Sequence, residues 1–293
     1  MLCAGGRFIN IQEPLNVHNR QTILRSRVEN WYTYITDENE DLYLSFYQDA
    51  FAFRPHPIYD IKRMRLGSPR DPIRVPKRWA GVLLGRLQRR RVLLRDPFAV
   101  FSIPWFTHRL GCDVVVIVRH PVAVVSSLKR LGFTFDFNDL LQQPLLMDQR
   151  LGRFRSDMEA ALGSPEDVVG QGSLLWRIVY DLVANDRRTT RSVYVVQHEA
   201  LSLNPLQEYS QLYETLGLPF DEKSRRIIER FTSDRNPKEV SRANPFRVRL
   251  DSRENLDNWR HRLDASEIDR ILERTRDVAD CYYPGGGVPV SAV

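Results

Sequence analysis

The sequence has few cysteines, no long hydrophobic run and no metal-binding spacing, and each absence excludes a class of protein. Cys3, Cys112 and Cys281 are odd in number and far apart, so they predict neither a disulfide framework nor a zinc site, and they fit a reducing, cytoplasmic setting. No window approaches about 18 uncharged apolar residues, so no membrane span is predicted. The N-terminus has no basic region followed by an apolar stretch and predicts no secretory signal. The six histidines show no H-E-x-x-H spacing, so no metal is predicted.

Lysine is scarce as well. Of the 43 basic residues only five are lysine and 38 are arginine, and with 37 acidic residues the net charge is +6. Arginine suits bidentate recognition of phosphate, sulfate or carboxylate, although GC-rich coding explains the same bias. Arginines cluster at 86–95 without interleaved aromatic residues or a nucleic-acid motif. That cluster predicts a solvated helix end, and no nucleic-acid partner is expected.

The sequence does contain an alternation of strand and helix patterns. Alternation along the chain predicts parallel strands joined by right-handed crossovers, and therefore an α/β fold. We expect one domain over 1–284, with a flexible tail at 285–293. Irregular structure is predicted for 54–78, 133–170 and 233–256. The predicted strands are 8–11, 92–94, 114–118 and 192–197, and the predicted helices are about 79–90, 99–110, 173–186, 204–216, 221–231 and 264–280, with a further helix starting at Pro121.

The stretch from Asp113 to Phe133 places a charge at the end of an apolar strand. Val114 to Val118 are five β-branched residues in a row, which is typical of a central strand covered on both faces. Pro121 suits the first turn of a helix. Arg119 therefore lies at the carboxyl end of a strand, where ligands of open α/β sheets collect, and either an anionic ligand or a nearby carboxylate explains it. A second strand ends in Arg95-Asp-Pro, and two arginines on neighbouring strand ends favour the ligand.

These residues match a known motif. In the sulfotransferases that use 3′-phosphoadenosine 5′-phosphosulfate (PAPS), the 3′-phosphate site is a strand ending in Arg, commonly R-x-P, with a Ser eight residues after the Arg. Arg119, Pro121 and Ser127 have this spacing, and Ser126 offers a second hydroxyl. The chain resembles this family over nearly its whole length.

Weaker motifs come in the family's order. R-D-P at 95–97 resembles the family's K-D-P, and V-V-Q-H-E-A-L-S-L-N-P at 195–205 resembles Y-E-D-L-x-x-x-P, with His198 in place of the Tyr beside adenine. L-G-L-P-F at 216–220 comes next, as in the family. N-W-R-H-R-L at 258–263 resembles W-K/R-x-x-L, and Y-Y-P at 282–284 resembles the closing aromatic pair. The resemblance implies a three-layer fold with a mostly parallel central sheet flanked by helices, the P-loop NTPase-like sulfotransferase fold.

One family motif is missing. The glycine-rich loop G-x-x-R-S-G-T-T, which grips the 5′-phosphosulfate in the family, does not occur. M-L-C-A-G-G-R-F-I-N-I-Q-E-P-L-N at the N-terminus resembles the family segment directly C-terminal to that loop. We therefore expect an N-terminally truncated fold, arising from a misassigned start codon, a fragment or true loss of the loop. A glycine-rich loop in the upstream reading frame would support the first two explanations.

The resemblance implies a role for each candidate site residue. Glu13 is the candidate general base, or it caps or pairs with an arginine. Arg95 would stabilise charge on the transferring sulfuryl group, or pair with Asp96. Arg119 and Ser127 would hold the 3′-phosphate. His198 would touch adenine or be structural, and Arg253 would reach the 3′-phosphate or be a solvated surface residue.

The expected activity is transfer of a sulfuryl group from PAPS to a hydroxyl of a carbohydrate, lipid or small-molecule acceptor, without a metal. The net positive charge of the chain would suit an anionic glycan or lipid acceptor. The alternative is a non-catalytic sulfotransferase-like binding protein that has lost the phosphosulfate loop. Another P-loop enzyme, such as a nucleotide kinase, is disfavoured because the sequence has no Walker A lysine.

Overall fold

A computed structural model describes residues 1–18, 28–54, 80, 81, 83–238, 249 and 251–285. The chain divides into two compact units, Leu2–Ala99 and Val100–Val293, with Met1 grouped with the second. The prediction of one domain over 1–284 stays a prediction. A flexible tail was predicted at 285–293, and its residues 286–293 lie outside the described residues. The same is true of 55–78 in the predicted irregular segment 54–78.

The first unit contains one parallel strand pair. Strand β1 (Phe8–Gln12) lies beside β2 (Arg91–Arg95), in a register that runs from Phe8 opposite Arg91 to Gln12 opposite Arg95. Helix α1 (Leu44–Phe51) and a 3-10 turn (Glu40–Leu42) come between them in the chain, and residues 83–87 are helical. The strands predicted at 8–11 and 92–94 are confirmed; the first is one residue longer at its carboxyl end and the second is one residue longer at both ends.

The second unit contains the other parallel pair, β3 (Val114–Val118) and β4 (Val193–Gln197), with Val118 opposite Gln197 at the carboxyl end. Its helices were predicted within a few residues, except those between 133 and 170 and the one at 198. They are α2 (Ile103–Leu110), α3 (Pro121–Leu131), α4 (Asn138–Leu141), α5 (Pro144–Leu146), α6 (Arg155–Leu162), α7 (Val168–Thr189), α8 (His198–Leu203), α9 (Pro205–Thr215), α10 (Glu222–Thr232) and α11 (Ala265–Ala279). Shorter 3-10 or π segments are Pro97–Ser102, whose first three residues belong to the first unit, Met147–Leu151, Gly152–Phe154, Glu254–Leu256 and Asn258–His261.

Helix α3 begins and ends as its sequence dictates. Pro121 occupies the first turn, where a missing N–H removes no helical hydrogen bond. Gly132 ends the helix with a left-handed φ of 61°, and its N–H bonds to the carbonyls of Leu128 and Lys129. The start of α3 is thereby fixed directly after Arg119.

The core of the second unit surrounds the ends of β3 and β4. Val118, Trp176, Val193, Tyr282 and Tyr283 are buried together in one cluster. A second cluster joins α3 to α11 and to the 3-10 turn 258–261, and consists of Val122, Ala123, Val125, Val169, Trp259, Leu263 and Ile271. Burying such side chains contributes about 1.5–3 kcal/mol each, so the strand ends have a rigid support.

Three expectations need correction. The segment 133–170 is largely helical, because buried apolar residues such as Leu146 and Met158 anchor helices too short to show a clear period. The six-residue helix α8 was missed for the same reason. Strand β3 is less covered than predicted, since Ile117 is 49% exposed and the described strands pair it with β4 alone.

The fold class is confirmed as α/β with parallel strand pairing. In the part of the chain that the structure describes, no helix is both long enough and apolar enough to cross a membrane.

Candidate functional site

Arg119 and His198 come directly after the carboxyl ends of two adjacent parallel strands. Val118 of β3 lies opposite Gln197 of β4, and each precedes one of the two candidate residues. Parallel strands bring their carboxyl ends to the same edge of a sheet. The charge of Arg119 acts on the His198 ring, so the structure brings these two predicted residues together.

Ser127 also lies beside Arg119. The Nη1 atom of Arg119 is 3.4 Å from the Ser127 hydroxyl, and that hydroxyl donates to the Ala123 carbonyl, one helical turn earlier, at 3.0 Å. Ser126 is fully buried and its hydroxyl has no hydrogen-bond partner among the described residues. Of the two serines, Ser127 is therefore the one whose hydroxyl faces the guanidinium.

The guanidinium of Arg119 has a buried atom without a partner. Its Nε lies away from solvent and makes no hydrogen bond within the described ranges. The main chain of the same residue is held firmly, because its carbonyl accepts from the Trp176 indole at 2.9 Å. A buried unpaired donor costs roughly 1–3 kcal/mol, so an acceptor that reached this N–H would stabilise the site.

Glu199 fixes the turn that carries Arg119. This residue is only 4% exposed; its Oε1 accepts the main-chain N–H of His120 at 2.9 Å, and its Oε2 accepts the Tyr283 hydroxyl at 2.8 Å. The rings of His120 and Tyr283 meet edge to face, with centroids 5.0 Å apart. The Glu199 carboxylate thus connects the Tyr283 side chain to the main chain between β3 and α3.

The electrostatics of the cluster favour an anion. Burial lowers the pKa of the Arg119 guanidinium, the charge of Glu199 opposes this, and the positive charge of Arg262 lowers the pKa further. Arginine stays protonated in proteins, so Arg119 and Arg262 place two positive charges near one buried carboxylate. An anion beside Arg119 would offset that repulsion.

The two histidines of the cluster are neutral at pH 7. Burial lowers the pKa of His120 to about 4, and burial together with the Arg119 charge lowers the pKa of His198 to about 4. The Nδ1 atoms of both rings are buried and make no hydrogen bond to any described residue. His198 therefore presents an uncharged ring beside the Arg119 guanidinium.

Arg253 lies in the same unit in a different setting. Its Nη2 donates to the Leu203 carbonyl at 3.0 Å, at the C-terminal end of α8, and the side chain is exposed. The adjacent Ser252 hydroxyl lies 2.7 Å from the Ser202 carbonyl. These contacts anchor the 251–256 segment to α8, and the phosphate role of Arg253 stays a prediction.

Glu13 and Arg95 form a second group, in the first unit. The Glu13 main-chain N–H donates to the Arg95 carbonyl at 2.8 Å, and Glu13 Oε1 is 3.9 Å from Arg95 Nη2. Glu13 Oε2 accepts from the Asn16 amide at 2.8 Å. Glu13 also has a left-handed φ of 46°, which is uncommon outside glycine. The Glu13 carboxylate therefore lies beside the Arg95 guanidinium at the carboxyl ends of β1 and β2. This agrees with the alternative reading, in which Glu13 pairs with an arginine.

Asp96 binds main-chain groups. Its two carboxylate oxygens accept the N–H groups of Leu15 at 2.7 Å and Phe98 at 3.0 Å. Burial raises the pKa of Asp96 to about 6, the two main-chain N–H groups oppose this, and the negative charge of Glu13 raises the pKa further. Asp96 is thus a buried anchor for the chain after β1.

A cavity of about 500 Å³ in the second unit runs along β4. Its lining combines residues of β4, including Gln197, with the polar side chains of Glu208 and Gln211 on α9. Arg119, Ser127 and His198 are not in its lining, so this cavity and the Arg119 cluster are separate features.

Sequence reasoning missed three members of the Arg119 cluster: Glu199, Arg262 and Tyr283. All three lie in or beside motifs that the sequence shows: Glu199 is next to His198, Arg262 lies in N-W-R-H-R-L and Tyr283 lies in Y-Y-P. Their mutual contacts, however, are set by tertiary packing. Among the described residues, no group of three or more His, Cys, Asp or Glu side chains is arranged to hold a metal.

Comparison of the chain with protein-family models, with curated proteins and with solved structures found no match. The sequence motifs and the geometry of the Arg119 cluster are therefore the basis on which a function can be proposed.

Proposed function

We propose that the protein is a PAPS-dependent sulfotransferase, which moves a sulfuryl group to a hydroxyl of a carbohydrate, lipid or small-molecule acceptor. The finer fold belongs to the same proposal: a three-layer, mostly parallel sheet of the P-loop NTPase-like sulfotransferase type. The observation that supports it most is the buried Arg119 Nε, which has no hydrogen-bond partner among the described residues and belongs to a side chain that lies 3.4 Å from the Ser127 hydroxyl.

A phosphate monoester suits this arrangement. Guanidinium groups bind phosphate oxygens with two parallel N–H bonds, and the Ser127 hydroxyl would add one more donor if it turned from the Ala123 carbonyl to the phosphate. The 11-residue helix α3 begins directly after the Arg119 turn, and the positive end of its dipole favours negative charge there. The proposal assigns the ribose 3′-phosphate of the nucleotide to this place.

The neighbouring His198 ring suits an aromatic base. It is uncharged at neutral pH because burial and the Arg119 charge lower its pKa to about 4. Nucleobases stack on flat aromatic and histidine rings, and this stacking does not require the ring to be charged. Adenine bound against His198 would lie next to the 3′-phosphate on Arg119.

In the proposed reaction, the acceptor oxygen forms a new S–O bond while the bond from sulfur to the 5′-phosphate oxygen breaks. Adenosine 3′,5′-bisphosphate leaves with that electron pair, and the acceptor's proton passes to the Glu13 carboxylate. Arg95 offsets the charge on the sulfuryl oxygens, as basic residues do in phosphoryl transfer. The contact between Glu13 and Arg95 would keep base and cation together.

The proposal is tested by calorimetric titration with adenosine 3′,5′-bisphosphate, followed by mass spectrometry of hydroxyl-bearing acceptors incubated with PAPS. Binding and a mass increase of one sulfate group on an acceptor support the sulfotransferase. Binding without any transfer across the panel favours the non-catalytic binding protein. Absence of binding to the bisphosphate contradicts both.

A further inference from the structure

One helical segment of the first unit turns its glycine inward and its leucines outward. Residues 83–87 are helical, and Gly85 is buried against the side chains of Ile9 and Phe53. A Cβ at Gly85 would overlap the Ile9 side chain and lie 3.2 Å from Phe53 Cε1, so no larger residue fits there without movement. Glycine thus allows the segment to pack closely on Ile9 of β1 and on Phe53.

The leucines of this segment point away from that contact. Leu83 is 52% exposed, Leu84 48% and Leu87 81%. Residues three and four apart share a helix face, so the three side chains form one apolar surface. Single exposed leucines are ordinary, whereas a contiguous apolar surface marks an interaction site.

Basic residues surround this apolar surface. Arg86 and Arg89 are exposed beside the leucines, and Arg91 comes at the start of β2. From Arg86 to Arg95 the sequence contains five arginines and no Asp or Glu. The surface therefore combines apolar side chains with a strong local positive charge.

We propose that this surface, the leucine–arginine patch (Leu83, Leu84, Arg86, Leu87 and Arg89), binds an anionic lipid membrane. The leucines enter the boundary between head groups and acyl chains, and the arginines contact lipid phosphates. Interfacial helices bind membranes by this combination of buried apolar area and attraction to anionic lipids. The proposal does not depend on the proposed sulfotransferase activity.

The leucines distinguish a membrane from a water-soluble anionic polymer. Binding of a nucleic acid or an acidic polysaccharide depends on the basic side chains and gains little from exposed leucines. A membrane gives both side-chain types a partner, because each methylene that leaves water adds to the affinity. The two classes of ligand therefore predict different responses to leucine and arginine substitutions.

The test is cosedimentation of the whole chain with lipid vesicles. We expect binding to vesicles of phosphatidylcholine with about 30% phosphatidylglycerol, and little binding to phosphatidylcholine alone. The variant Leu83→Ser/Leu84→Ser/Leu87→Ser should reduce partitioning about tenfold or more, and Arg86→Gln/Arg89→Gln should reduce it to a similar extent. Leu42→Ser is the matched control, because Leu42 is 56% exposed in the same unit but lies beside the acidic Glu40 and Asp41, and it should bind like the unmodified chain.

Two results would overturn the proposal. One is absence of binding of the unmodified chain to the anionic vesicles. The other is loss of binding in the arginine variant with undiminished binding in the leucine variant, which identifies a purely electrostatic anion site. Circular dichroism checks that each variant is folded, and if the triple variant is not, the single change Leu87→Ser at the most exposed leucine gives the same comparison.

Discussion

Arg119 carries a positive charge at a position that is shielded from water on most sides. Glu199 compensates this charge in part, but it also accepts hydrogen bonds from the His120 main chain and from Tyr283, and Arg262 adds a second positive charge nearby. A charge in such a place is costly without a partner of opposite sign. The residue is therefore suited to bind an anion, and Ser127 supplies the adjacent hydroxyl.

At the residue scale, His198 should make stability fall in acid. Its pKa is lowered to about 4 in the folded chain from the ordinary 6.5, chiefly by burial and then by Arg119. The unfolded chain therefore takes up the proton first, and the free energy of unfolding falls as pH drops from about 7 towards 4. We expect His198→Gln to reduce this fall by about 2–3 kcal/mol.

Urea denaturation of the two proteins at pH 7 and pH 4.5 measures the effect. The exposed His261→Gln variant is the control and should behave like the unmodified protein. An unchanged acid sensitivity in His198→Gln would show that His198 does not stay neutral in the folded state.

At the element scale, one carboxylate joins the two longest helices of the second unit. Asp167 caps α7 by accepting the Gly170 N–H at 2.9 Å, and both of its oxygens accept from Arg270 of α11. Burial raises the pKa of Asp167, but the bonds from Arg270 and Gly170 outweigh this, and the pKa is lowered overall. The start of α7 therefore depends on contacts with both its own main chain and α11.

Asp167→Ala should lower the free energy of unfolding by about 2–3 kcal/mol, because it removes a helix cap and leaves Arg270 without its carboxylate. Asp167→Asn should cost less, since its amide oxygen still accepts the Gly170 N–H. Chemical denaturation at pH 7 measures both. Asp157→Ala, at a 51% exposed carboxylate 3.7 Å from Arg177, is the control and should cost well under 1 kcal/mol. If Asp167→Ala and the control lowered the free energy of unfolding equally, Asp167 would not join α7 to α11.

The elements with strong local signals could be predicted from the sequence. The β-branched run at Val114–Val118, the Pro121 helix start and the long amphipathic helices agree with the structure within a few residues. The helices between 133 and 170 could not be predicted, because they are held in place by the burial of single residues such as Leu140 and Leu151. The exposure of individual residues in β3 could not be predicted either, since the exposed Ile117 has the same β-branched character as its buried neighbour Val118.

At the scale of the whole molecule, the candidate residues fall into two groups. Arg119, Ser127 and His198 converge in the second unit, while Glu13 and Arg95 meet in the first. The eight-residue spacing predicted that Ser127 lies beside Arg119, and the family resemblance implied a place for His198 in the same site. Glu199, Arg262 and Tyr283 join the same cluster from distant parts of the chain, and no local pattern specifies such contacts.

The three cysteines should differ in reactivity across the molecule. All are free, and Cys281 is exposed, whereas burial raises the pKa of Cys3 and, with the nearby charge of Asp113, raises the pKa of Cys112 to about 11. The thiolate is the reactive form, so we expect one fast thiol at pH 7.5. Titration with a disulfide reagent measures this. Cys281→Ser should remove the fast phase and Cys112→Ser should leave it, and a fast phase that survives Cys281→Ser would contradict the assignment.

The most direct measurement compares the affinities of the chain for adenosine 3′-monophosphate and adenosine 5′-monophosphate by calorimetry. We predict preference for the 3′-monophosphate, because only that nucleotide places a phosphate on Arg119. Arg119→Ala should weaken its binding by roughly 2–3 kcal/mol, about 30- to 150-fold, and abolish the preference, whereas the exposed Arg188→Ala should change neither. Equal affinities for the two nucleotides, or a preference that survives Arg119→Ala, would contradict the account.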